Sequence, residues 1–223
     1  MAQNPVIERI PSGIYGLDSK IEGGFEKGSI ITVIGGPGAG KSIFSMQFIY
    51  EGLKRKEKTL YVSFEESEAD LIRDMLAIEL DPSEYIKNES LTILFASPIN
   101  FEYLSIIDVI KSKSISRVVI DSLSAIYLNI NDDSKFRKFI LDLVTFLREL
   151  KVTSVLTDEQ PQGDDNETKF FSGEYLSDSV IKLFYSGLGG EYDRSMQIVK
   201  MRRTNNYRSL IPMKIDKKGI FLK

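Results

Sequence analysis

The chain contains no cysteine. Disulfides, thiolate metal sites and cysteine nucleophiles are therefore excluded. It contains no histidine either, which removes the Ser-His-Asp triad, the imidazole general base and the His-ligated zinc site. Acid–base work falls to Asp, Glu, Lys or Tyr, and the hard cation Mg2+ becomes the expected metal. No uncharged apolar run approaches the roughly 20 residues of a membrane span. The opening stretch MAQNPVIERIPSG lacks the apolar core of a signal peptide. The expectation is a cytoplasmic protein with no membrane contact. Neither sign of charge dominates: 29 Lys and Arg face 32 Asp and Glu, a formal net charge of -3. That balance argues against a chain that coats nucleic acid or anionic membrane non-specifically.

What is present reads as an ordinary folded composition: 223 residues, 42% of them hydrophobic and 27% charged. That length suits one sizeable domain, and with no repeat, low-complexity tract or linker, residues 1–223 are assigned to one. Apolar β-branched runs predict strands at 29–34, 59–64, 91–96, 117–121 and 152–157. Helical spacing predicts helices over 42–56, 67–80, 101–113 and 136–150. Strands separated by helices of this length mean βαβ units and a mostly parallel sheet flanked by helices. After residue 160 the strand-like segments 180–185, 195–203 and 210–215 are separated by turn residues, and are read as antiparallel strands finishing the sheet.

Gly35-Gly36-Pro37-Gly38-Ala39-Gly40-Lys41-Ser42 fits the phosphate-loop pattern G-x-x-x-x-G-K-[ST] in full, between a predicted strand and a predicted helix that continues through Ile43. Glycines let backbone N–H groups converge on phosphate oxygens, and the helix N-terminus adds partial positive charge. Lys41 is expected to reach the β- and γ-phosphates of ATP, and the Ser42 hydroxyl to ligate Mg2+. The competing reading, a Gly-rich turn that binds nothing, has to discount eight matching positions and both flanks.

About 80 residues further on, Asp121 ends the apolar strand Val118-Val119-Ile120. Ligands of open α/β sheets bind off the carboxyl ends of strands, so Asp121 is assigned to the metal beside Ser42, with capping of the following helix as the alternative. Glu65 and Glu66 end another strand aimed at the same crevice. Cleaving a phosphoanhydride needs a group that orients and deprotonates the attacking water or hydroxyl. Adjacent strand residues face opposite ways, so Glu65 is assigned as base and Glu66 as its aid. The alternative is a pair of surface acids opening a helix.

These residues carry a resemblance. Phe64-Glu65-Glu66-Ser67, Ile120-Asp121-Ser122-Leu123-Ser124-Ala125 and Lys200-Met201-Arg202, together with the phosphate loop, resemble the KaiC-like branch of the RecA-fold ATPases, which includes archaeal RadA paralogues. The opening Ile10-Pro11-Ser12-Gly13-Ile14-Tyr15-Gly16-Leu17-Asp18, then Gly23-Gly24-Phe25 and Lys27-Gly28-Ser29, is similar too. The resemblance covers residues 8–222 and one copy of a domain that KaiC carries twice. It implies a RecA-like core, ATP with Mg2+, and a ring-like homo-oligomer, expected as a hexamer, with ATP between subunits. It further implies that the Glu pair is catalytic, and that Lys200 and Arg202 reach the γ-phosphate of the neighbouring subunit. A basic edge strand is the alternative for that pair, since residues 200–223 hold eight Lys and Arg against Asp216 alone.

The resemblance breaks at one place. Where KaiC carries its Ser and Thr phosphate acceptors, this chain has Glu174 and Tyr175; Glu174 would mimic a permanently charged acceptor, and Thr168, Ser172 and Ser177 lie nearby. No acceptor is assigned. The 158–169 loop, which would face the central axis in a recombinase, holds Asp158, Glu159, Asp164, Asp165 and Glu167 against Lys169 alone. Such a stretch repels phosphates and argues against DNA binding there; the basic C-terminal segment with Tyr207 and Arg208 offers a different surface. Three readings stay open: an oligomeric ATPase that regulates a protein partner, a Ser/Thr autokinase, and a nucleotide-dependent adaptor in DNA repair.

Overall fold

The computed structural model describes residues 7–101, 103–159 and 176–223. A short antiparallel pair, β1 (Arg9–Ile10) with β2 (Phe25–Glu26), leads into β3 (Ile30–Gly35), the phosphate loop and α1 (Lys41–Lys54). There follow β4 (Thr59–Ser63), α2 (Glu68–Ala77), α3 (Ser83–Lys87), β5 (Leu91–Phe95), α4 (Tyr103–Lys113) and β6 (Arg117–Asp121). Then come α5 (Leu123–Ile130), α6 (Asp133–Glu149) and β7 (Thr153–Glu159). The C-terminal strands are β8 (Ser179–Tyr185), β9 (Arg194–Met201), β10 (Ile211–Asp216) and β11 (Gly219–Leu222).

Nine strands form one sheet in the order β11-β10-β9-β8-β3-β7-β6-β4-β5. From β8 to β5 every pairing is parallel, and β8-β9, β9-β10 and β10-β11 are antiparallel. The expected α/β class with an antiparallel C-terminal end holds. One assignment changes: β8 is parallel to β3, with Ile31 opposite Ser179 and Gly35 opposite Leu183, so the reversal begins at β9. Pairing direction is set by the distant partner strand, to which a local strand signal is blind.

Parallel strands are buried on both faces, and the sequence is apolar on both. From β3, Ile31 and Val33 pack with Phe44 and Phe48 of α1 and with Leu71 and Met75 of α2. Ile30 faces the other way and packs with Val118 and Ile120 of β6, Ile106 of α4, Ile126 of α5 and Leu143 and Leu147 of α6. The sheet is thus a middle layer between two helical layers. β3 lies at its centre, with β7 and β8 on either side. The chain leaves β3 for β4 across two intervening strands, which opens a crevice where the connections diverge.

Candidate nucleotide site

The carboxyl ends of β3, β4, β6 and β7 converge on one edge of the sheet, because these strands are mutually parallel. That edge collects the phosphate loop, the Glu65–Glu66 turn, Asp121, and Asp158 with Glu159. The sequence motifs meant to act together are brought together, apart from Lys200 and Arg202.

The loop depends on its glycines. Gly38 and Gly40 have φ of +74° and +105°, and Gly40 sits immediately before α1. Side chains are strained in that region. A Cβ on Gly35 would stand 2.8 Å from the Leu183 carbonyl oxygen, whereas one on Gly36 would meet nothing within 4 Å. The loop is therefore packed against β8 behind and open in front, next to the first-turn N–H groups of α1, which have no carbonyl within the helix to bond. This is a cradle of donors suited to phosphate oxygens. Lys41 lies across it: Nζ donates to the Gly35 carbonyl at 2.8 Å and the Gly36 carbonyl at 3.4 Å, and is 3.9 Å from Glu159.

Asp121 does not cap α5. The residue before that helix is Ser122, which makes no capping bond. The Asp121 carboxylate instead accepts hydrogen bonds from the Tyr61 hydroxyl at 2.6 Å and the Thr157 hydroxyl at 2.5 Å. The strands on both sides thus hold it in place. Burial, then the Asp121 charge and hydrogen bond, pushes the Tyr61 phenol well above its ordinary range, so it stays a donor. The hydroxyl of Ser42 and a carboxylate fixed by two donors are hard oxygen ligands of the kind Mg2+ takes, so the side chains fit the expected metal.

The glutamates depart from the expected arrangement. β4 ends at Ser63, so Glu65 and Glu66 occupy the turn beyond it and pleat alternation does not separate them. They do not open α2 either: its N-cap is Ser67, whose hydroxyl accepts from the Asp70 N–H, with Glu68 and Asp70 in the first turn. Glu65 is exposed and accepts from the Ser122 hydroxyl at 3.1 Å. Glu66 is half-buried, and its carboxyl is raised above the usual range by burial first, then by Asp74, Asp121 and Glu65.

Lys200 and Arg202 lie at the other end of the sheet. Lys200 pairs with Val180 and Met201 with Ser179, level with the start of β3. The phosphate loop leaves at Gly35, four residues on, or about 13 Å of strand. Lys200 Nζ donates to the Ser177 carbonyl at 2.7 Å, and Arg202 pairs with Asp178 at 3.6 Å. β9 is an interior strand of the sheet, which removes the edge-strand alternative.

Of the remaining sequence expectations, Ser177 is fully buried and its hydroxyl is bonded to Thr32, a poor position for a phosphate acceptor. Thr168, Ser172, Glu174, Tyr175 and the stretch 160–169 of the acidic loop lie outside the described residues. Tyr207 is exposed beside Lys20. No described helix is long and apolar enough to cross a membrane.

Three contributors carry no sequence signal for the site. Tyr61 and Thr157 look like ordinary strand residues. Arg194 donates to the Gly38 carbonyl at 3.0 Å and stacks on Tyr185, 4.2 Å from its ring centre, so β9 holds the phosphate loop from outside. Only cross-strand adjacency reveals these roles.

Comparisons with known proteins bear on the family and the fold. A family model described as "ATPase: KaiC" matches residues 10–223. The circadian clock oscillator protein KaiC of Parasynechococcus marenigrum is 29% identical, over 96% of this chain and 44% of its own length. That of Parathermosynechococcus lividus is 31% identical, over 96% of this chain and 42% of its own. The chain thus spans a little under half the length of these curated relatives. A KaiC-like protein of the hyperthermophilic archaeon Pyrococcus horikoshii OT3 has a solved structure that matches with a TM-score of 0.87 at 34% identity, covering 98% of this chain and 100% of that one. With a family model matching residues 10–223 and a solved KaiC-like structure matching almost the whole chain, the chain belongs to the KaiC family of RecA-fold ATPases.

Proposed function

We propose that the protein binds ATP with Mg2+ and hydrolyses it as a homo-oligomer, one RecA-like domain per subunit. The observation that carries the reading is the convergence of the phosphate loop, Asp121 and Glu65 on one edge of the sheet. Gly35, Gly36, Pro37, Gly38, Ala39, Gly40 and Ile43 form and support the cradle, and Lys41 meets the β- and γ-phosphates by turning from the loop carbonyls. Ser42 and Asp121 would hold the metal, which neutralises charge on the β- and γ-oxygens when bound. Glu65 orients and deprotonates water, and Glu66 tunes it through their shared charge.

Lys200 and Arg202 sit too far from their own phosphate loop to serve it. Their catalytic role therefore belongs to a neighbour's nucleotide, where a trans-acting arginine contributes about 10^3–10^5 in rate in related chemistry. Nucleotide state then changes the assembly and its fit to a protein partner, which is the regulatory output.

The test is steady-state ATP turnover by the purified protein. Lys41→Ala and Glu65→Gln are each expected to cut the rate at least 100-fold, by analogy with loss of one preorganised catalytic group. Wild-type rates in both variants, or no turnover by the assembled wild type, would overturn the assignment. Intact mass after incubation with ATP and Mg2+ checks the autokinase reading, which requires an added phosphate.

A further inference from the structure

Beside the start of β3, a polar cleft of about 390 Å³ is lined by Glu26, Lys27, Arg148, Asp178, Arg202 and Arg203. Four cations share it with two carboxylates. Its centre is Asp178, whose residue is only 6% exposed.

We infer that Asp178 is a positioning residue that keeps Arg202 docked in its own subunit until a neighbour's triphosphate draws the arginine away. The inference rests on the proposed trans role of Arg202 and deepens it.

The argument is one of unequal partners. The Asp178 carboxylate accepts the Ile30 N–H at 3.0 Å and sits 3.2 and 3.3 Å from the Arg148 guanidinium. These two contacts satisfy it. Arg202 approaches only to 3.6 Å and Arg203 to 3.9 Å, and Arg203 is anchored elsewhere by its Nε bond to Glu26 at 2.8 Å. Arg202 is therefore the loosest member, and its side chain is 47% exposed. Leaving a buried carboxylate unpaired is costly; with Arg148 and the Ile30 N–H in place, the departure of Arg202 does not do so. The backbone at this point stays fixed, because the Arg202 N–H donates to the Asp178 carbonyl at 3.0 Å. The arginine can change its electrostatic partner by side-chain rotation alone.

Two variants separate this from a purely structural role. Asp178→Asn keeps an acceptor for the Ile30 N–H and removes the charge that holds Arg202. Arg148→Gln removes the competing cation and tightens the hold. The readout is the protein concentration at half-maximal assembly in Mg-ATP, by light scattering on the full chain, with thermal melting as a check of folding. Asp178→Asn is expected to lower that concentration three- to tenfold and Arg148→Gln to raise it. In an Arg202→Ala background, Asp178→Asn should shift nothing. The inference is overturned if the two variants shift assembly the same way, if Asp178→Asn shifts nothing, or if its shift survives without Arg202. Should Asp178→Asn fail to fold, Arg148→Gln decides: a midpoint at or below wild type sinks the idea. A wild type that neither assembles nor turns over ATP defeats the ATPase reading and this inference together; a wild type that does both, with the wrong variant pattern, defeats this inference alone.

Discussion

Asp158 is a buried acid near the phosphate loop. It is the last residue but one of β7, opposite Ile34 and 5% exposed, and accepts from the Ser124 hydroxyl at 2.7 Å and the Glu159 N–H at 2.9 Å. Burial pushes its carboxyl up to about 7, against those hydrogen bonds and the Lys41 charge. A carboxyl with a raised folded pKa holds its proton more tightly folded than unfolded. Stability must then fall as pH rises from the ordinary Asp range near 4 to about 7, and level off above. Asp158→Asn removes that slope. Melting temperatures recorded from pH 5 to pH 8 should decline for the wild type and stay flatter for the variant, which melts higher at pH 8. Parallel curves would show that the acid is already ionised in the folded protein at low pH.

At the scale of elements, β6 is pinned by a buried arginine. Arg117 has no exposed surface, pairs with both carboxylate oxygens of Glu57 at 2.7 and 3.0 Å, and donates to the Pro11 and Phe48 carbonyls. Gly52 makes room, since a Cβ there would stand 2.7 Å from Arg117 Cδ. Arg117→Met strands Glu57 and two carbonyls, and is expected to cost about 3–5 kcal/mol. The loss should appear as a lower denaturant midpoint with an unchanged slope. Glu57→Gln keeps an acceptor but leaves the buried guanidinium without its counter-charge, and should cost a comparable amount. The element also shows what the sequence discloses. β6 was legible at both ends, Arg117 and Asp121, because an apolar run stands between charged residues. The periodicity predicts α6 from Phe136, its first apolar residue; it begins at Asp133, because Asp132 caps it by accepting the Lys135 N–H. α3, β11 and the β1-β2 pair give no sequence signal of their own: they are short, and their stability comes from packing rather than periodicity. The candidate site was legible where chemistry needs residues at fixed spacing, as in the phosphate loop. It was not legible where Tyr61, Thr157 and Arg194 act through neighbouring strands.

At the scale of the whole molecule, the two candidate functional segments lie at opposite ends of the strands. The cradle opens at the carboxyl end of β3, and the Lys200–Arg202 segment lies beside the start of that strand. If each nucleotide is completed by the neighbour, two inactive variants should complement. Lys41→Ala supplies an intact arginine, and Arg202→Ala an intact cradle. Mixed and reassembled in equal amounts, they should regain roughly a quarter of wild-type turnover, since about one interface in four joins two intact halves. A mixture as inactive as its parts would show that the arginine does not act across the interface.

The same polarity limits how copies can be arranged productively. A two-fold pair completes both sites only if the cradle and the arginine lie on one face, since residue i then meets j and j meets i; with the two at opposite ends of the strands, head-to-tail contacts that repeat in one direction are the arrangement expected. Any unclosed row leaves a lone cradle at one terminus and a lone arginine at the other. Only when the last copy meets the first does every subunit both lend and borrow, so a steep onset of turnover with concentration would be the signature of closure itself.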